Sequence, residues 1–243
     1  MGESSKGYKK ETYVKFEHRG QRVYKVVSVD DRAATRESIL KELRNQGIQV
    51  STRSDWGATR GDPSHFDGMD WNYNSIAIHH AGHSYSCGKP TIEQIKNAEQ
   101  TDIGKYGHLS YHYAISCDGV VLEALDIREK GSHIDKMNTG VIGIVLLADL
   151  SVRGEDMKIG EGKGMGAIWN RIMPSSTDWL NNDKQYPALS TLVSILLKHF
   201  HIQKLGGHRE YQKIATNAAR TCPGTHGMIM VDLMRKNFGL SAP

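Results

Sequence analysis

Two histidines, His79 and His80, close the short apolar run in "NSIAIHHAG", and no third donor stands near them. Far along the chain, "GGHREYQKIATNAARTCPG" carries His208 and Cys222, fourteen positions apart. The Pro-Gly after Cys222 makes a turn suited to hold a thiol in place. Two imidazoles and one thiolate are the donor set of a catalytic zinc site, in which the fourth tetrahedral position is left to water. Adjacent strand residues point to opposite faces, so only one of His79 and His80 ligates easily from a regular strand. The pattern alone leaves that choice open. It also leaves open a plainer reading: strand-end histidines, a surface His208 and a buried Cys222.

The chain that must bring these residues together has 243 residues, enough for a substantial core. Lys and Arg total 31 against 27 Asp and Glu, a net charge of +4 that favours an anionic polymer without choosing one. A dense basic block with interleaved aromatics is missing, which disfavours nucleic-acid binding. No apolar run reaches membrane-spanning length, and "MGESSKGYKKETYVKF" lacks the apolar stretch of a signal peptide. The three cysteines, Cys87, Cys117 and Cys222, are not a disulfide framework, although one pair has room to form.

The pattern of apolar residues predicts an α/β protein. "TYVKF" and "RVYKVVSV" flank a turn and read as a hairpin. "TRESILKELRNQG" reads as a helix that begins at Thr35 or Ser38 and stops at Gly47. Residues 1–47 form an N-terminal α+β extension packed on the main body, residues 48–243. In that body "SIAIHH", "LSYHYAIS", "VVLEAL" and the most apolar run, "GVIGIVLLA", read as strands, with a hairpin turn at Asp118-Gly119. "TIEQIKNAEQTDIG", "YPALSTLVSILLKHFHI" and "GMIMVDLMRKNFG" read as helices. Without a steady βαβ rhythm, the arrangement is a mixed central sheet flanked by helices. Residues 151–186 read as a surface insertion, since their glycines lack the order of a phosphate loop.

Seven segments now stand in a recognisable order: "RSDWGA", "IAIHHAG", "LSYHYAISCDG", "GSH", "MNTGVIGIVL", "GHRE" and "TCPG". Together, over about residues 48–240, they resemble the zinc-dependent N-acetylmuramoyl-L-alanine amidases, a family that includes peptidoglycan recognition proteins and small phage amidases. The resemblance implies zinc held by His79, His208 and Cys222, with His80 turned elsewhere. It maps the family tyrosine onto Tyr111. It places His133 and Asn138 beside the substrate groove. Trp56 packs a loop against the body or stacks on a sugar, and it joins His133 and Asn138 as a candidate substrate contact. Two departures stand out. The last two ligands are further apart than usual, so "EYQKIATNAA" reads as an enlarged loop beside the metal. Arg220 stands where Lys or Thr is usual, and its role is electrostatic because it keeps its proton.

The implied reaction is hydrolysis of the amide between the lactyl group of N-acetylmuramic acid and L-alanine, with Tyr111 and Arg220 steadying the oxyanion. No glutamate is placed as an obvious acid or base. Cys222 is expected as a ligand, with a Cys–His hydrolase as the lesser alternative. A further alternative is a peptidoglycan-binding protein that does not cut. Such a protein usually lacks a zinc ligand, whereas all three are present here. A wall-cutting enzyme without a visible signal peptide suits a lysin or an injected antibacterial effector. The substrate partner is then peptidoglycan or a muropeptide, and an effector also has an immunity protein.

Overall fold

The computed structural model describes residues 9–65, 67–82, 87–155, 178–180 and 182–243. Two ten-residue strands, β1 (Lys9–His18) and β2 (Gln21–Asp30), pair antiparallel as a separate ribbon. Helix α1 (Asp31–Asn45) follows directly, so it starts four residues before the expected Thr35. Asp31 lies in its first turn, where a negative charge meets the positive end of the helix dipole. Gly47, at φ +79°, provides the left-handed stop. Ile39 and Leu43 of α1 belong to the main core, which ties this helix to the body.

The body is built on a six-stranded mixed sheet. Its strands are β3 (Val50–Ser51), β4 (Ser75–His80), β5 (Tyr113–Ile115), β6 (Val121–Glu123), β7 (Val141–Leu146) and β8 (Lys204–Gly207). Their order across the sheet is β3-β6-β5-β7-β4-β8. Only β5 and β6 pair antiparallel, across a turn closed by the Gly119 N–H on the Ser116 carbonyl at 2.9 Å. The strand expected over 109–116 is shorter than its pattern. Its first residues lie outside the named strand, and the Ser110 N–H goes to the Asp102 carboxylate. The short helix α2 (Arg53–Trp56) and helix α3 (Thr91–Tyr106) precede β5. Helix α4 (Gln185–His199) comes before β8, and α5 (His208–Thr216) and α6 (Gly224–Phe238) follow it.

Strands β4 and β7 are buried on both faces, which is why they read as continuous apolar runs. Their period of two is hidden in the sequence and plain in the packing. Ile76, Ile78, Ile142, Ile144 and Leu146 meet Leu189, Leu192 and Leu196 of α4 and Val231 and Met234 of α6. The opposite face carries Ala77 and Val141 against Tyr211, and Val145 in the cluster with Trp56 and Ile95. His79 shares the face of Ala77. Most of the expected insertion lies outside the described residues. The part that returns to the body is fastened by Asp178, whose carboxylate accepts the N–H groups of Cys87 and Asp149. Cys87 and Cys117 form a disulfide that joins the segment after β4 to the β5–β6 turn. No helix among the described residues is long and apolar enough to cross a membrane.

Candidate metal centre

His79 sits near the C-terminal end of β4 and is only 1% exposed. Strand β8 runs parallel beside β4 with Ile78 opposite Gly207, so the residue that opens α5, His208, emerges next to His79. Cys222 returns to the same point in front of α6. The Arg209 N–H donates to its carbonyl at 2.9 Å. The Arg209 guanidinium also grips the Thr221 carbonyl and pairs with Glu155. The Cys222 Sγ lies 3.7 Å from His79 Nδ1 and 3.9 Å from the His80 carbonyl oxygen.

One donor atom from each of His79, His208 and Cys222 falls within 4.8 Å of the other two, the one such cluster found among the described residues. Tetrahedral zinc with ordinary Zn–N and Zn–S bonds separates its ligand atoms by roughly 3.3–3.6 Å, so small ring movements close the set. The chemistry of the donors fits as well. Burial holds the His79 pKa well below its usual value, with the neighbouring His208, His133 and His80 adding to the effect. The ring is therefore neutral and able to offer a lone pair. His80 turns the other way, and its Nδ1 accepts the Leu150 N–H at 3.1 Å.

Tyr111 is brought to the cluster. Its ring meets His79 edge-on with centroids 4.8 Å apart. Arg220 is exposed on the stretch that leads into Cys222, two residues from the thiol. The segment expected as an enlarged loop is instead helix α5, which ends at Asn217 in a left-handed conformation, φ 59°. The extra residues between the last two ligands are absorbed by helical turns, with Tyr211 anchoring them through its hydroxyl on the Ile76 carbonyl.

The three candidate substrate contacts differ in how they are held. Trp56 is 1% exposed and its indole N–H donates to the Glu123 carbonyl at 2.8 Å, so it packs the body and offers no face to a sugar. His133 is 6% exposed, with both ring nitrogens in hydrogen bonds inside the protein. Asn138 spends its carbonyl oxygen on the N–H groups of His133 and Ile134, at 2.9 and 2.7 Å. His133 has a place because β7 has a glycine there: a Cβ on Gly143 would stand 2.5 Å from the imidazole. Two residues escaped the sequence reading, Arg209 and Gln212. Gln212 is four positions after His208, a spacing that puts both on one helix face once the segment is read as helix.

The geometry can now be set beside known proteins. Drosophila peptidoglycan recognition protein SD superposes with a TM-score of 0.58 at 18% identity, covering 80% of this chain and 97% of that one. Drosophila PGRP-LB gives a TM-score of 0.54 at 20% identity, covering 80% of this chain and 96% of that chain. The N-acetylmuramoyl-L-alanine amidase LysC of Clostridium intestinale gives 0.52 at 15% identity, covering 79% and 99%. These likenesses define the fold: a mixed α/β sheet of the peptidoglycan recognition protein and amidase type. A search among curated protein sequences finds no match. The family model for N-acetylmuramoyl-L-alanine amidases matches residues 72–225, and the chain belongs to that family. The matched span contains His79, His208 and Cys222.

Proposed function

We propose that the protein is a zinc-dependent amidase that hydrolyses the bond between N-acetylmuramic acid and the L-alanine of the peptide stem. The observation that carries this reading is the meeting of His79, His208 and Cys222 at one point of an amidase-family fold. Zinc at that point supplies a Lewis acid for the carbonyl and lowers the pKa of water. The chain supplies the rest. His79 and His208 offer neutral nitrogens, and Cys222 offers a thiolate that lowers the net charge of the site. Tyr111, in contact with His79, donates its hydroxyl to the carbonyl oxygen as negative charge grows there. Arg220 adds a fixed positive charge beside Cys222.

A protein that only recognises peptidoglycan is the second reading. Retention of all three metal donors favours the enzyme. The Cys87–Cys117 disulfide suits an oxidising compartment, where cell-wall substrate is met. Action as a lysin, or as an effector restrained by an immunity protein, is the setting we attach to this reading. Its test is expression in the periplasm of a susceptible bacterium. Lysis by the wild-type protein and none by Cys222→Ala supports it, and intact cells in both cases count against the toxin role. The enzymatic reading itself is tested on purified muropeptides, with zinc content measured in the same samples.

A further inference from the structure

We propose that His133 and Gln212 are positioning residues that decide which ring nitrogen His79 and His208 present to the metal. The inference rests on the zinc reading of the site and extends it to residues outside the donor set.

The proton positions follow from a chain of groups whose roles are fixed. The Val141 carbonyl can only accept, and it faces His133 Nε2 at 3.3 Å. That nitrogen therefore carries hydrogen, and His133 Nδ1 carries a lone pair. His133 Nδ1 lies 3.1 Å from His79 Nε2, so His79 must donate from Nε2. The lone pair of His79 is then on Nδ1, the atom that faces Cys222 Sγ. The second histidine follows the same logic. Gln212 Oε1 accepts the Asp135 N–H at 3.2 Å, and its Nε2 donates to Thr216 Oγ1 at 2.6 Å. That fixes which end of the amide is oxygen. His208 Nε2 lies 3.2 Å from this oxygen and donates to it, which leaves the lone pair on Nδ1.

The arrangement is built rather than incidental. His133 occupies space opened by two glycines: Cβ atoms on Gly143 and Gly131 would stand 2.5 and 2.8 Å from its Cδ2. Gln212 is 2% exposed, so its amide is not a surface group that happens to lie near His208. One loop serves both histidines. Asn138 fastens it by accepting from His133 and Ile134, and Asp70 accepts the Gly140 N–H at 2.6 Å. The same loop supplies the Asp135 N–H that orients Gln212. Holding both imidazoles in the metal-ready tautomer removes a proton rearrangement that would otherwise oppose binding.

The test compares paired variants of the full chain. His133→Leu and Gln212→Leu remove the acceptors, while His133→Gln and Gln212→Glu keep one. Zinc affinity is read by competition with a chromophoric chelator, and ring tautomers by nitrogen-15 NMR of the zinc-free wild-type protein. The expected result is a loss of about 10–100-fold in affinity for each leucine variant, largely restored in its acceptor-keeping counterpart. The wild-type spectrum should show Nε2–H on both His79 and His208. The proposal is overturned if both leucine variants bind zinc like wild type, if the restoring variants fall as far as the leucines, or if either ring is protonated on Nδ1. It is also overturned if the wild-type protein binds no zinc. If His133→Leu does not fold, the Gln212 pair and the wild-type spectrum decide. None of these readouts uses peptidoglycan, so expected zinc affinities in a protein that leaves muropeptides intact would sink the proposed reaction alone.

Discussion

Replacing Cys222 by alanine removes the only anionic donor of the cluster and leaves two neutral imidazoles. Purified Cys222→Ala should therefore hold little zinc, and metal analysis checks this directly. His79→Ala should do the same, whereas His80→Ala should keep zinc because its ring serves the Leu150 backbone. Tyr111 and Arg220 act on charge that exists only during attack. Tyr111→Phe and Arg220→Ala should keep zinc and KM while kcat falls by about a hundredfold, or roughly 3 kcal/mol. Arg220→Lys should retain most activity if charge alone matters, and lose it if the planar fork does. Trp56→Ala should instead cost about 3–5 kcal/mol of stability through the void it leaves, which denaturant unfolding measures. At this scale the candidate donors were legible because few residue types bind zinc, while the choice of His79 over His80 came from the family resemblance. Their supports were not legible. His133 and Gln212 carry no spacing signal of their own, and only the folded chain shows that they lie against the rings of His79 and His208.

Gly143 on β7 and the Cys87–Cys117 bridge decide how the elements hold the site. Gly143→Ala forces a Cβ against the His133 ring, an overpacking that should cost about 1–3 kcal/mol. Its zinc affinity should fall along with its unfolding midpoint, because the displaced ring is the one behind His79. The disulfide closes a separation of 30 residues. Opening it in Cys87→Ser, Cys117→Ser should cost about 3–4 kcal/mol on the loop-entropy estimate, measured as a lower denaturation midpoint against the oxidised wild type. The helices and the long strands were readable from periodicity and turn residues. The pairing of Cys87 with Cys117 was not, since spacing alone does not select partners among three cysteines. Helix α5 was also missed. "REYQKIATNAA" contains residues common in loops, and its helicity depends on tertiary anchors such as Tyr211 on the Ile76 carbonyl.

The whole molecule carries neutral histidines in its interior, and that sets its response to acid. Burial pushes the His112 pKa down to about 4, despite a hydrogen bond to the Glu129 carbonyl that favours its charged form. The unfolded chain binds a proton at this position near the ordinary value of about 6.5, before the folded protein does. Stability is therefore fully present above about pH 6.5 and declines as the pH falls toward 4. The slope contributed by one such imidazole is about 1.4 kcal/mol per pH unit. Urea midpoints across this range should show that decline, and His112→Asn should flatten it; an unchanged slope would remove His112 as its source. The mixed sheet flanked by helices was legible from the sequence because apolar runs of strand length and amphipathic helices occur together without a steady βαβ rhythm. The order of its strands was not, as pairing between distant segments leaves no local pattern. The most direct test of the proposed reaction is turnover of a defined muramoyl-peptide by zinc-loaded wild-type protein, with Cys222→Ala as the control. A zinc amidase releases a peptide with a free L-alanine amino group, loses this activity on chelation and regains it when zinc is restored. Zinc-loaded wild-type protein that binds the muramoyl-peptide and leaves it whole would contradict the enzymatic reading and make the molecule a recognition protein.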